Sequence, residues 1–459
     1  MAVLDVIVGF YFYPRGGSSH SCAAICSELV RRGLRVRLVS GSRSDVGELA
    51  NAERFFKGCE VMPVDFTPAL REPQPARVDP GPGSAPMHGS YEDRPGAEDP
   101  VLAALDDETF ELQVRAWERE LERAGAGEAR VLYLHHLTPL NEAAQRRFPH
   151  VPVIGHVHGS ELLMLERIAT GPEPGWRYAE AWAERMRRWA SRCAALVVNS
   201  ERGLERAAAL LGVPRERFHL IPNGFPPEFR PFTIDRAAFW KRQLVDEPRG
   251  WAPGRAPGSV RYRPEDLAAL EGIVLLNVGR YTAVKRLPLL IETFARARER
   301  FEEPTALVLI GGYPGEWEGE HPLEAIKRTG ARDVFLAGWH DQSELPGFFA
   351  AGDVLVHPSA NEQFGQVIVE AMACAVPPIA VERGGPAQII DPEETGWLIP
   401  PDDGEALERA LIEAVNDREK RARLGSEARR RALERYAWES IGARLAELIS
   451  EVAAGARRE

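Results

Sequence analysis

At 459 residues the chain is about three times the usual length of one domain, which predicts two. Its 44% hydrophobic and 27% charged residues are the composition of a globular protein and exclude disorder over most of the length. The net charge of −11 argues against nucleic acid or anionic membrane as a general partner, so any anion site is local.

The opening MAVLDVIVGFYFYP has no basic n-region and holds Asp5 inside its apolar stretch, the pattern of a first strand and not of a signal peptide. No run approaches 18 apolar residues, and five scattered cysteines without a CxxC pair suit a reducing compartment, so a cytoplasmic protein is expected. Short apolar runs then alternate with helix-period segments, as in parallel sheets covered by helices. Strands are predicted at Leu4–Phe12, Val36–Ser40, Val131–His135, Val151–His158, Ala195–Asn199 and His219–Pro222, with a helix after Gly17 that ends at Gly33. Residues 72–100 hold seven prolines and four glycines among 29 residues, too many for regular structure, so an exposed loop or lid is expected there. Tyr178, Trp182, Met186, Trp189 and Cys193 recur at helical spacing, which fits core packing or a membrane-interface helix. A second Pro/Gly-rich stretch, 226–260, lies where a domain linker would fall. The second half repeats the first pattern, with strands near Ile273–Val278, Ala306–Ile310, Val334–Ala337, Val354–His357, Pro378–Val381 and Trp397–Ile399. The proline-free stretch 402–456 predicts two or three surface helices.

The densest chemistry lies between Val354 and Ile390. A strand ends at His357, a loop carries Glu362, Phe364 and Gly365, and a helix opens near Gln366 and contains Glu370. That helix is apolar on nearly every side, so Glu370 is an ionisable group in a buried element and needs a partner. A ribose diol would satisfy it, with Glu362 on sugar hydroxyls; the competing explanation is an arginine partner for Glu370 and a solvated Glu362. The helix start offers free N–H groups and a positive dipole to a phosphate. Upstream, NVGRYTAVKR closes a strand and opens a helix. Arg280 and Lys285, the latter one of only five lysines, flank this turn and can converge on a diphosphate; a solvated helix start is the alternative. Gly16–Gly17 after the first strand permit close backbone approach to a ligand, but the absence of GxGxxG disfavours a dinucleotide-dependent dehydrogenase. His156 and His158 share one face of a strand end, with His135 and His136 ending a neighbouring strand. A metal-dependent hydrolase built on these four is the rival reading, although the spacing of a complete metal site is missing.

Taken in order, GG after the first strand, HGSE at 158–161, IPNGF at 221–225, GRYTAVKR at 279–286, Glu362-Gln-Phe-Gly with Glu370 five residues beyond that glycine, and GGPAQII at 384–390 resemble the retaining glycosyltransferases of family 4. The resemblance implies the GT-B fold, an α/β architecture of two Rossmann-like domains whose parallel sheets face across a cleft. On that pattern residues 1–225 form the acceptor-side domain with the 72–100 insert, 226–265 the linker, 266–435 the nucleotide-sugar domain, and 436–459 a helix crossing back. Arg280 and Lys285 would hold the donor diphosphate with Gly16 and Gly17 closing over it. Glu362 with the Phe364–Gly365 backbone would hold the transferred sugar, Glu370 the ribose with Gln366 beside it, and His158 would lie near the anomeric carbon. His158, Arg280, Lys285 and Glu362 are thus the expected catalytic set. The implied reaction is metal-independent and cofactor-free: a hexose moves with retention from a UDP-, GDP- or ADP-sugar to a small-molecule or glycan acceptor, without nucleic acid, and with membrane contact left open but not indicated. Ser19, Gln366 and Gln388 stand where the family commonly has Glu, Leu and an acid.

Overall fold

The computed structural model describes residues 4–47, 50–92, 98–362 and 364–455; residues 93–97 of the predicted insert and Gln363 of the Glu362 loop lie outside them. The chain divides into two units, Met1–Asn223 with Trp438–Glu459, and Gly224–Ala437.

The first unit is built on a seven-stranded parallel sheet. Its strands are β1 (Asp5–Phe10), β2 (Arg35–Ser42), β3 (Glu60–Asp65), β4 (Val131–His135), β5 (Val153–Val157), β6 (Ala195–Val198) and β7 (Phe218–Leu220), in the order β3-β2-β1-β4-β5-β6-β7. The central strands are buried along nearly their whole length, which explains why they read as continuous apolar runs. The edge strand β3 escaped the sequence pattern because Pro63 interrupts it, a residue tolerated only where no neighbour needs its N–H.

Three expectations for this unit are settled by packing. The helix Gly17–Arg31 ends as foreseen, with Gly33 at φ 84° and the Gly33 and Leu34 N–H groups donating back to Val30 and Leu29 carbonyls. The aromatic stripe on the helix Ala179–Arg192 is core: Trp182, Met186, Trp189 and Cys193 are fully buried, and the Trp182 indole donates to Leu105 O. The stripe is thus core packing, the favoured of the two readings, except for Tyr178 at its start, which is exposed. The insert is no free lid either. Its prolines forbid long regular elements, yet Ala85, Met87 and His88 are fully buried, with His88 packed edge-on against Phe12 and Phe66.

The second unit holds a six-stranded parallel sheet of β8 (Ile273–Val278), β9 (Thr305–Ile310), β10 (Val334–Gly338), β11 (Val354–His357), β12 (Pro378–Val381) and β13 (Trp397–Ile399), ordered β10-β9-β8-β11-β12-β13. The segment 226–265, expected as a linker, is part of this unit. Its apolar residues explain the correction: Phe229, Phe239, Trp240, Leu244 and Trp251 are all buried, more apolar surface than a solvated connection would carry. The 402–456 stretch forms the helices Gly404–Asn416, Arg418–Tyr436 and Trp438–Gly455, and the last packs Ile441, Leu445 and Ile449 into the first unit's core. No helix among the described residues is long and apolar enough to cross a membrane.

In each sheet the strand order reverses once, between β1 and β4 and between β8 and β11. Open α/β sheets bind ligands at the carboxyl ends of the strands at such a reversal.

Candidate functional site

At the second unit's reversal, β8 and β11 pair through Leu275–Val354 and Leu276–Leu355, and the buried Asn277 amide then donates to Val356 O at 2.8 Å. The turn 279–286 follows one strand and the loop 358–365 the other, so sequence-distant charges meet here. Lys285 Nζ lies 2.6 Å from Glu362 Oε2, and His357 Nε2 lies 3.1 Å from the same oxygen. Burial works to raise the Glu362 carboxyl, but the His357 hydrogen bond and the Lys285 charge outweigh it and hold the group at about 2. Glu362 is therefore a fixed anion at neutral pH. Arg280, at the other end of the same turn, is exposed and makes no ion pair among the described residues.

Glu370 lies on the helix Gln366–Ala373 and is buried with no cation paired to it among the described residues. The arginine partner considered from sequence is absent among the described residues. Instead Gln342 Nε2 and Gln366 Nε2 donate to its Oε1 at 2.6 and 3.2 Å, and burial, only partly offset by these amides, pushes the carboxyl up to about 7. Gln366 also donates to Gly224 O at 2.8 Å. Among the described residues no side chain caps the helix, whose N-cap Gly365 is left-handed at φ 103°, so its first-turn amides face the loop. The GGPAQII glycines serve that loop: a Cβ at Gly385 would come within 1.9 Å of Phe364 O, and its N–H donates to Glu362 O at 2.9 Å.

Sequence reasoning missed the support behind the Arg280 turn. Trp251 is fully buried, donates from Nε1 to Gly312 O at 2.9 Å and stacks on Tyr281, the neighbour of Arg280, at 5.9 Å between ring centres. A Cβ at Gly312 would strike the Tyr281 ring at 2.4 Å, so only glycine lets the loop after β9 lie against that turn. The available signal was a lone tryptophan in a Pro/Gly-rich stretch. Past the ends of β9 and β10, Tyr313 and Trp339 remain exposed and meet edge-to-face at 5.8 Å.

In the first unit, the turn Gly16–Gly17 opens a helix that no side chain caps; Gly16 takes φ 71°, and Ser19 Oγ donates to its carbonyl at 2.7 Å. Asn223 of IPNGF accepts from Ser21 Oγ at 3.0 Å on the same helix. The four histidines do come together. His135 Nδ1 and His158 Nε2 lie 2.8 Å apart, His156 stacks on His158 with centres 4.1 Å apart, and Tyr133 OH meets His156 Nδ1 at 2.8 Å. Burial first, then neighbouring imidazoles, hold His135, His156 and His158 well below the ordinary histidine range, so all three are neutral. Glu161 of HGSE accepts the His158 N–H at 3.1 Å and approaches His136 Nδ1 at 3.4 Å.

His135, His156 and His158 each offer a nitrogen within 4.8 Å of the others. Their rings are nearly parallel, within 15–28° of one another, and His135 Nδ1 and His158 Nε2 lie at hydrogen-bond distance.

The description Glycosyltransferase Family 4 matches residues 15–229, and Glycosyl transferases group 1 matches residues 261–431. This chain belongs to the family 4, group 1 glycosyltransferases. Among relatives, D-inositol 3-phosphate glycosyltransferase of Jonesia denitrificans is 27% identical over 294 residues, 63% of each chain. The match thus spans about three fifths of that relative. Sucrose-phosphate synthase from Thermosynechococcus elongatus shares the family fold at TM-score 0.66 and 19% identity, covering 98% of this chain and 100% of the other. Anabaena HepE, crystallised with UDP and glucose, does so at TM-score 0.64 and 16% identity with the same coverage.

Proposed function

We propose that the chain is a metal-independent, retaining glycosyltransferase that moves a hexose from a nucleoside diphosphate to a hydroxyl of an acceptor. The observation that carries this reading is the Lys285–Glu362–His357 cluster at the β8/β11 reversal, next to an uncapped helix start and a buried, cation-free Glu370. Each part matches one piece of a nucleotide sugar. Lys285 and Arg280 take the diphosphate, the ionised Glu362 and the Phe364–Gly365 backbone take sugar hydroxyls, and Glu370 accepts both ribose hydroxyls with Gln366 beside it. The exposed Trp339 marks the position of the base, and the UDP in the HepE crystals makes uracil the first base to test. The first unit is assigned the acceptor, with His158 and Gly16–Gly17 serving the sugar and diphosphate.

The chemistry uses these groups as fixed charges. The bond from the anomeric carbon to the phosphate oxygen breaks and its electron pair leaves with the diphosphate. The acceptor oxygen bonds to the same face of that carbon, and its proton passes to the departing phosphate oxygen. Charge grows on the diphosphate in the transition state, where two side-chain cations and preorganised amides stabilise it without a divalent metal. Retention and the absence of a protein nucleophile follow the family resemblance.

The test is calorimetric titration of chelator-treated protein with UDP, GDP, ADP and their glucose and mannose esters, with Glu370→Ala as control. One nucleotide binding to the wild type and not to the variant supports the assignment; no nucleotide binding at all overturns it.

A further inference from the structure

The histidine cluster of the first unit contributes one residue, His158, to the reaction above; the others have no assigned part. They meet because of strand register. β4 and β5 pair in parallel with His135 opposite His156, and His158, two residues on, returns to the same face. His156 stacks on His158 with ring centres 4.1 Å apart and planes inclined by 15°, which fixes the plane of the His158 ring. His135 meets it differently. Its Nδ1 lies 2.8 Å from His158 Nε2 with the ring centres 5.1 Å apart and the planes inclined by 17°, so these two rings join edge to edge, as an N–H···N hydrogen bond requires. The backbone is held too, since the His158 N–H donates to the buried Glu161 at 3.1 Å.

The protons of the His135–His158 pair can be counted. Burial and neighbouring imidazoles keep both rings neutral, so each carries one N–H, and the contact between them holds one proton and one lone pair. Two arrangements satisfy that count. In the first, His135 donates from Nδ1, its Nε2 is bare, and His158 carries its own proton on Nδ1. In the second, His158 donates from Nε2, its Nδ1 is bare, and the His135 proton sits on Nε2. His135 Nε2 decides between them. It is buried with no hydrogen-bond partner, on a ring flanked by Phe10 and Tyr133. The second arrangement buries an N–H there with nothing to accept it, whereas the first leaves only an unused lone pair. A buried N–H without an acceptor is the rarer defect, which selects the first.

This arrangement gives His158 a defined chemical character. It is half-buried where His135 and His156 are fully buried, and with Nε2 accepting from His135 its Nδ1 is the ring nitrogen left for a ligand. A general base needs a free lone pair at the proton it removes, and in this tautomer His158 has none.

We propose that His135 is a positioning residue that fixes His158 in its Nδ1–H tautomer, so that His158 meets the reacting sugar as a hydrogen-bond donor and takes no proton from the acceptor. This role rests on the glycosyltransferase reading above and adds the protonation state of its histidine. The acceptor's proton is then left to the departing phosphate oxygen.

The experiment is NMR of the full chain with nitrogen-15-labelled imidazoles at pH 7, the His158 signals being assigned by their loss in His158→Asn. One-bond and two-bond couplings show which nitrogen carries the proton. His158 is expected protonated on Nδ1 and bare on Nε2. A proton on Nε2, on both nitrogens, or exchanging between the two overturns the proposal, and this result needs no variant of His135. His135→Leu, which removes the hydrogen bond, releases His158 into a mixture of tautomers, and His135→Asn, whose amide donates from the same place, restores the Nδ1–H form. A tautomer that His135→Leu leaves unchanged overturns the positioning role. Titration with UDP, GDP, ADP and their glucose and mannose esters tests the contact: the ester of the nucleotide that binds shifts the His158 Nδ1–H signal, and the bare nucleotide does not. A bound ester that leaves the signal in place overturns the donor role alone, whereas no nucleotide or ester bound removes the reading beneath it.

Discussion

Glu370 should cost the folded protein stability at the pH where it is useful. An ordinary glutamate carboxyl titrates near 4.5, and burial of Glu370 raises it to about 7. The native state therefore keeps a proton that the unfolded chain has released between those two values. Stability depends on the difference in bound protons, so it falls as pH rises through this window, and the full penalty is present above about pH 7. At roughly 1.4 kcal/mol per pH unit the penalty is about 3 kcal/mol. Glu370→Gln carries the same shape without the charge. It should match the wild type near pH 5 and exceed it at pH 8 by up to that amount, which for a unit of this size is about 6–12 °C in the associated Tm. The same variant should lose nucleotide binding, because the amide offers one uncharged acceptor oxygen where the carboxylate offers two charged ones. The assay is scanning calorimetry of both proteins at pH 5, 6, 7 and 8, with nucleotide titration at pH 8. Parallel Tm profiles across that range would refute the burial argument, since Glu370 would then titrate like an exposed glutamate.

Four further outcomes follow from the same geometry. Wild-type nucleotide affinity should drop about fivefold from pH 7 to pH 6 as the binding carboxylate of Glu370 is protonated, and a flat affinity profile would remove its assignment to ribose. Lys285→Ala and Arg280→Ala should each lower turnover at saturating donor by at least ~100-fold, about 3 kcal/mol of transition-state stabilisation; a loss under tenfold would sink the diphosphate assignment. Trp251→Phe, which loses only the indole N–H bond to Gly312 O, should cost about 1 kcal/mol in stability, and Trp251→Ala about 3–5 kcal/mol with weaker nucleotide binding. Equal Tm values for the two variants would show that the ring does not support the Arg280 turn. Chelator-treated protein should turn over at the untreated rate, and restoration only by a divalent metal would count against the proposed chemistry.

The residues themselves determined the local and periodic features. Apolar runs bounded by helix-period segments gave the strands Val131–His135, Ile273–Val278 and Val354–His357 to the residue, because a strand buried on both faces must be apolar throughout. The motif order, GG through GGPAQII, was enough to identify the family, since six weak signals in a fixed order are specific where one is not. Polarity and spacing also singled out Glu370 as a buried acid in need of a partner. Which partner was beyond reach of spacing: Gln342 comes from a different strand-to-helix loop, and only the sheet order brings it to 2.6 Å of the carboxylate. Lys285 and Glu362 are 77 positions apart and meet because β8 and β11 are neighbours. Composition misjudged both Pro/Gly-rich stretches, since proline and glycine forbid regular hydrogen-bonded elements but not burial, and Trp251 and His88 show those stretches packed inside. Sequence decides what each residue can do; the tertiary fold decides which residues meet, because long-range contacts depend on strand order and burial, which no local window contains.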